Sequence, residues 1–221
     1  MAITIDIDTA RPYQVHVGTF LLEQTGPIVR ATADGCGEVI KHAVIADPEL
    51  FTELEKTPLT LELLNKDVAR VVLIIARNID IKRAVVVADE RETNQRKLLN
   101  FGHSAGHAVE ACEHFELGHG NCVSIGMGII TRAAALHGIC DATLPARIEE
   151  LCARHGLKTR CNLDADAIFA ETLHDKKRVG DTIDLVIPHD IGRCSIDRTP
   201  LSTFHELIAE GLGQKGDASA C

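Results

Sequence analysis

Residues 3–7 and 13–17 alternate apolar with polar side chains, and Asp8-Thr9-Ala10-Arg11-Pro12 lies between them. Period-two alternation on either side of turn-forming residues predicts two short strands. A lone two-stranded unit is marginal in water, so residues 1–26 read as an incomplete piece of something. Gly26-Pro27 breaks the pattern, and from there the apolar spacing becomes mostly helical. It predicts helices over 36–46, 60–79, 95–114, 121–138, 143–155 and 164–177. Asp164 is placed to cap the last of these, and Gly138 and Gly156 to stop two others. Residues 183–187 and 193–198 predict a hairpin around 188–192, and 203–210 a final helix. The expected fold class is mainly α, with a small β-hairpin and a short N-terminal β remnant. The expected division is 1–26, 27–208 and a disordered tail over 209–221.

Composition narrows the function classes. A chain of 221 residues, 45% hydrophobic and 25% charged, buries a proper core and is neither disordered nor fibrous. Its longest apolar stretch, residues 71–76, falls far short of the ~18–20 residues of a membrane span. The opening Met-Ala-Ile-Thr-Ile-Asp-Ile-Asp has acids where a signal peptide needs cations, so a cytoplasmic location is expected. A net charge of −9 and a pI near 5.6 set nucleic acid aside as a partner. An anionic ligand would need a local cluster of cations working against that field. Aromatics at 3% argue against stacking platforms. None of the eight cysteines forms a Cys-x-x-Cys pair, which argues for reduced thiols in small core sites, with Cys221 exposed in the tail.

The chemistry concentrates in a few places. His103 and His107 stand four apart, on one face of the expected helix, with Gly102 and Gly106 at the same spacing. Two such histidines can share a metal or can be structural, and the glycines let another backbone or a ligand come close. His119 sits between Gly118 and Gly120 at the start of a small-residue helix. Such a start binds anions and presents a ligand well, though a turn histidine would look the same. Glu38 and Lys41 share a face: either a surface ion pair, or a metal carboxylate beside an anion-binding ammonium. Lys82, Arg83, Arg91, Arg96 and Lys97 form a basic belt, and Asp175-Lys176-Lys177-Arg178 a second cationic knot. Each reads as a solvated face or, with the other, as a holder of phosphate and carboxylate.

Several of these motifs stand in the order found in one family. Gly37-Glu38-Val39-Ile40-Lys41 resembles the Glu-Val-Ile-Lys motif of 3-dehydroquinate synthases. Lys82, Val86-Val87, Asp89-Glu90, Glu92 and Arg96, followed by Asn100-Phe101-Gly102-His103 and Gly106-His107-Ala108-x-Glu110, resemble its main signature. Gly118-His119-Gly120 and Asp175-Lys176-Lys177 continue it, and the likeness runs from about 27 to 208. The resemblance implies a helical dehydroquinate synthase-like domain in which Glu38, His103 and His119 ligate zinc or cobalt. It implies that Lys82, Arg96, Asn100 and His107 contact substrate, His107 carrying a proton, and that Lys41 and Lys176 or Lys177 belong to the same site. Two positions depart from the pattern: Ser104-Ala105 replaces a Thr-Phe-like pair, and Asn121 stands where an acid usually follows.

The implied reaction is that of a lyase of the shikimate pathway to aromatic amino acids. It takes a seven-carbon phosphorylated sugar acid (DAHP) to 3-dehydroquinate, with NAD taking and returning a hydride. The family's nucleotide-binding α/β domain would fall between residues 26 and 27, and no glycine-rich pyrophosphate loop occurs in the chain. The expectation is therefore a metal- and substrate-binding half, as a homodimer or with a partner supplying the NAD domain. A non-catalytic metal-binding remnant and a relative of metal-dependent polyol dehydrogenases are the alternatives. The cations argue against the second, because a neutral polyol needs none.

Overall fold

The structure, a computed structural model, describes residues 2–7, 13–18, 28–60, 63, 66–91, 95–173 and 178–214. The N-terminal alternation forms β1 (Ala2–Ile7) and β2 (Tyr13–Gly18), paired antiparallel with Ile5 opposite Val15. Helix α1 (Ile28–Ala46) follows, eight residues longer at its start than its apolar pattern predicts. The sequence reading has no helix over Pro48–Lys56, yet α2 forms there. The Asp47 side chain accepts from Leu50 N at 2.9 Å and Pro48 takes the first turn, where its missing N–H does no harm. Leu50, Phe51 and Leu54 are its buried stripe.

The expected helix over 60–79 is instead α3 (Val68–Ala88), set by an N-cap at Asp67, whose carboxylate accepts from Arg70 N. It carries Lys82 and Arg83. Arg77 reaches back from it in a bidentate pair with Asp47, both contacts 2.6 Å, and so clamps α3 to the α1–α2 junction. The helix expected over 95–114 is broken in two. Gln95–Asn100 is a 3₁₀ segment, Phe101 is fully buried, and Gly102, at φ +76°, starts α4 (His103–Cys112). A left-handed residue cannot continue the helix, so the break is written in Gly102.

Helix α5 (His119–Leu136) is the axis of the molecule, buried on nearly all sides from Cys122 to Ala134. Helices α1, α4, α6 (Leu144–Arg154) and α8 (Leu201–Leu212) pack on it, and α7 (Ala165–Thr172) packs on α4 and α8. Asp164 caps α7 as expected, accepting from Asp166 N, and Gly138 and Gly156 take left-handed conformations just beyond α5 and α6. The C-terminal hairpin is β4 (Thr182–Asp190) with β5 (Arg193–Pro200), Val186 opposite Ile196, and a two-residue strand β3 (Arg178–Val179) adds to β4. Asp184 on β4 accepts from Lys97 at 2.6 Å and from Arg198, tying the sheet to the 3₁₀ segment. The last helix runs to Leu212, into the stretch expected as tail; residues 215–221, with Cys221, lie outside the described residues.

The seven described cysteines are free thiols. Burial pushes Cys36 up to about 11 and Cys122, Cys152 and Cys194 to about 12, so they remain protonated packing groups at neutral pH. Among the described residues no helix is long and apolar enough to cross a membrane.

Two outcomes follow from this packing. A methyl group at Gly126 would collide with Gly102 O and sit 2.8 Å from Gly106 N, so Gly126→Ala is expected to destabilise by roughly 1–3 kcal/mol. An unchanged urea midpoint would contradict the α4–α5 contact. His42 is held at about 4 by burial and by Lys41, and His155 is lowered chiefly by burial. His155 Nδ1 donates to Leu151 O and Nε2 accepts from Leu59 N, which fixes it neutral. Below the ordinary imidazole value of about 6.5 the unfolded chain binds protons that the folded chain refuses, so stability is full above it and falls with pH below it. Urea midpoints measured from pH 7 downward should decline, and the slope should lessen in His155→Gln.

Candidate functional site

Three helices deliver the site. Helix α1 brings Glu38, Lys41 and His42, α4 brings His103, His107 and Glu110, and α5 brings His119 as its first residue. They can meet because their backbones nearly touch. A Cβ on Gly37 would lie 2.9 Å from Gly120 Cα, and one on Gly106 would lie 2.8 Å from Cys122 O. The glycines at the spacing of the two histidines thus admit the backbone of α5, one of the two options the sequence left open.

The result is a triangle of imidazoles. Ring centroids lie 5.2 Å apart for His103–His107, 5.4 Å for His103–His119 and 5.9 Å for His107–His119. One ring nitrogen from each falls within 4.8 Å of the others. Hydrogen bonds set the tautomers of two of them. His103 Nδ1 lies 3.2 Å from Phe101 O, and His119 Nδ1 lies 3.3 Å from Glu110 Oε2. A carbonyl and a carboxylate only accept, so both Nδ1 atoms carry the proton and both Nε2 atoms present a lone pair. An imidazole whose far nitrogen donates to a carboxylate or carbonyl is the arrangement that orients metal ligands.

Glu38 stands beside this triangle. Its Oε2 accepts from Lys41 Nζ at 2.7 Å, with Lys41 only 2% exposed. Its Oε1 is buried without a protein hydrogen-bond partner and faces His103 Nε2 at 3.5 Å. Burial alone would raise the Glu38 carboxyl, but the charge and hydrogen bond of Lys41 hold it below the usual carboxylate range. A carboxylate oxygen and an imidazole lone pair facing each other repel unless a cation lies between them. Two donors on a tetrahedral ion with bonds of about 2.0–2.1 Å would sit roughly 3.3 Å apart. The donor set therefore fits a divalent cation.

Of the other sequence-predicted residues, Lys82 lies exposed on α3, where its charge reaches His42. Arg96 and Asn100 are half-buried on the 3₁₀ segment that leads into α4. That segment is pinned at Arg96 N by Asp89 Oδ2, and the Arg96 guanidinium donates to Glu90 O. Within the basic belt, Arg83 pairs with Asp80 and Lys97 with Asp184. Lys176 and Lys177, and the knot they belong to, lie outside the described residues.

Sequence reasoning assigned no role to two acids that the structure places in the site. Glu110 follows His103 and His107 at i+7 and i+3, the same helical face, and that spacing was its signal. Asp34 accepts from Gly120 N at 2.7 Å across 86 residues, capping α5 from another helix, and left no local signal. One amide of that helix start thus already binds a carboxylate of the protein. Asn121 does not face the imidazoles: its carbonyl accepts from Lys158 N and its amide donates to Leu117 O.

Residues 35–178 match the family described as 3-dehydroquinate synthase C-terminal. The 3-dehydroquinate synthase of Streptococcus suis is 36% identical over 181 residues, 81% of this chain and 50% of that protein. That of Acetivibrio thermocellus is 37% identical over 168 residues, 74% of this chain and 46% of its own length. The chain thus spans about half the length of these relatives. Among solved structures, a 2-epi-5-epi-valiolone synthase from Streptomyces hygroscopicus with NAD+ and Zn2+ bound superposes with a TM-score of 0.72 at 22% identity, over 83% of this chain and 51% of that one. A 2-deoxy-scyllo-inosose synthase complexed with carbaglucose-6-phosphate, NAD+ and Co2+ gives 0.66 at 21%, over 83% and 53%. At that identity the two structures speak for the fold alone. The helical fold and the match over the residues that carry its imidazoles together make this chain a member of the 3-dehydroquinate synthase family, through that family's C-terminal domain.

Proposed function

We propose that the chain is the metal- and substrate-binding half of a 3-dehydroquinate synthase, a lyase converting DAHP to 3-dehydroquinate with loss of phosphate. The observation that carries this reading is the meeting of ring nitrogens of His103, His107 and His119 within 4.8 Å, with the unpartnered Oε1 of Glu38 3.5 Å from His103 Nε2, in a family-matched domain. In this reading Glu38, His103 and His119 hold zinc or cobalt, and His107, next to them, faces substrate. The ion would act as a Lewis acid on a substrate oxygen. Lys82, Arg96, Lys41 and Lys176 or Lys177 neutralise the carboxylate and phosphate of a doubly anionic sugar, which the net charge of −9 would otherwise repel. Asn100 orients a hydroxyl, and the His107 ring nitrogen carries a proton as phosphate departs.

The residues described here do not fit a nicotinamide dinucleotide. Both of their sheets are antiparallel, and a dinucleotide site needs a parallel strand–glycine-rich turn–helix unit. Assembly as a homodimer, or with a partner carrying a dinucleotide-binding domain, belongs to this proposal.

Elemental analysis should find one zinc or cobalt per wild-type chain, with His119→Ala and Glu38→Ala losing it and His107→Ala keeping it. Metal lost from His107→Ala would make His107 a ligand in place of a proton carrier. Glu110→Ala, which frees His119 Nδ1, should weaken zinc about 10–100-fold in a chelator competition. Mixed with zinc, NAD and DAHP, this chain is expected to release no phosphate by itself. Sustained release would overturn the account of the nicotinamide site, and zinc binding without any DAHP binding by calorimetry would favour a metal-binding module instead.

A further inference from the structure

Five buried side-chain polar atoms among the described residues have no protein hydrogen-bond partner: Glu38 Oε1, both ring nitrogens of His42, Asn78 Nδ2 and Arg132 Nη2. Four of the five belong to one cluster between α1 and α3. His42 follows Glu38 by one helical turn, its Nε2 4.0 Å from Glu38 Oε2, and Asn78 faces the ring from α3. A buried polar atom left unpaired costs about 1–3 kcal/mol, so four together call for a use. Ordinary core packing is no explanation, because an apolar side chain of the same size at position 42 would be cheaper.

The chemistry of the three groups is complementary. His42 is 2% exposed, and such burial disfavours the charged imidazolium. A neutral imidazole offers one donor and one acceptor. Asn78 Nδ2–H can supply Nδ1, and Nε2–H can then supply Glu38 Oε2 after a shift of roughly 1 Å. Lys41 Nζ already holds that oxygen from another direction. Two donors on Oε2 stop the carboxylate rotating and leave Oε1 as the only oxygen turned toward His103. All four atoms are then satisfied at once: Asn78 Nδ2 and His42 Nδ1 by each other, His42 Nε2 by Glu38 Oε2, and Glu38 Oε1 by the cation.

We infer that Asn78, His42 and Glu38 form a carboxamide–imidazole–carboxylate relay in which His42 is a positioning residue for the metal-binding oxygen of Glu38. The inference rests on the metal reading proposed above. It gives Glu38 an outer support comparable to the one Glu110 gives His119, so that ligands from α1 and α5 are each held from behind.

The test uses the full chain loaded with zinc or cobalt, and reads affinity by chelator competition and the cobalt absorption spectrum. His42→Leu should bind zinc about 10–100-fold more weakly and shift the cobalt bands. His42→Gln, which keeps a donor and an acceptor, should recover most of the affinity. Asn78→Leu should lose less than His42→Leu, and the double variant no more than His42→Leu alone, because the two act in series. Should His42→Leu not fold, His42→Gln against Asn78→Leu carries the same comparison. Wild-type affinity and an unchanged cobalt spectrum across these variants, even with a higher melting temperature, would reduce the cluster to unfavourable packing and overturn the relay. A wild-type chain that takes up no metal would instead overturn the metal reading, and the relay with it.

Discussion

The site depends on how closely two backbones can approach. Helices α4 and α5 meet through Gly102, Gly106 and Gly126, and α1 meets α5 through Gly37 and Gly120. Ordinary side chains hold helix axes 8–10 Å apart, and the glycines let these backbones come closer. With the glycines in place, the first turns of α4 and α5 lie together and His103, His107 and His119 fall into one cluster. The left-handed Gly102 contributes twice, since it also separates α4 from the 3₁₀ segment and so starts α4 at His103.

Electrostatics then works against the bulk charge of the protein. Lys41 and Glu38 form a buried or half-buried pair next to the imidazoles. Such a pair adds little net stability, yet removing one partner typically costs 3–5 kcal/mol because the other is left uncompensated. Its sense here is directional. Lys41 occupies one carboxylate oxygen and leaves the other facing His103. Glu110 and Asp34 act similarly at the start of α5, one fixing the His119 tautomer and the other the helix end that carries it. Glu110 thus holds His119 in the form that binds a cation, while Lys41, Lys82 and Arg96, which the proposed function assigns to an anionic substrate, sit on α1, α3 and the 3₁₀ segment.

Much of the fold was legible because local rules suffice for it. Asp164, Gly138 and Gly156 bound their helices as capping chemistry requires, and the alternation of 183–187 and 193–198 gave the hairpin. The errors share one cause. Helix α2 was announced by Asp47-Pro48-Glu49, but its apolar positions are few and its stripe is completed by the rest of the core. The start of α3 at Asp67 and the break at Gly102 were likewise punctuation inside a continuous apolar rhythm, and rhythm alone ran past them.

The sequence by itself determined which residues can do chemistry. Histidines at i and i+4, a histidine between glycines and a Glu-x-x-Lys turn are local patterns, and their order along the chain carried the family resemblance. Only the tertiary structure decided that the histidines share one point, that Glu38 turns one oxygen to Lys41 and the other to His103, and that Asp34 closes α5. Those relations join residues tens of positions apart, across backbones whose separation is fixed by packing, and no local spacing encodes a distance between helices.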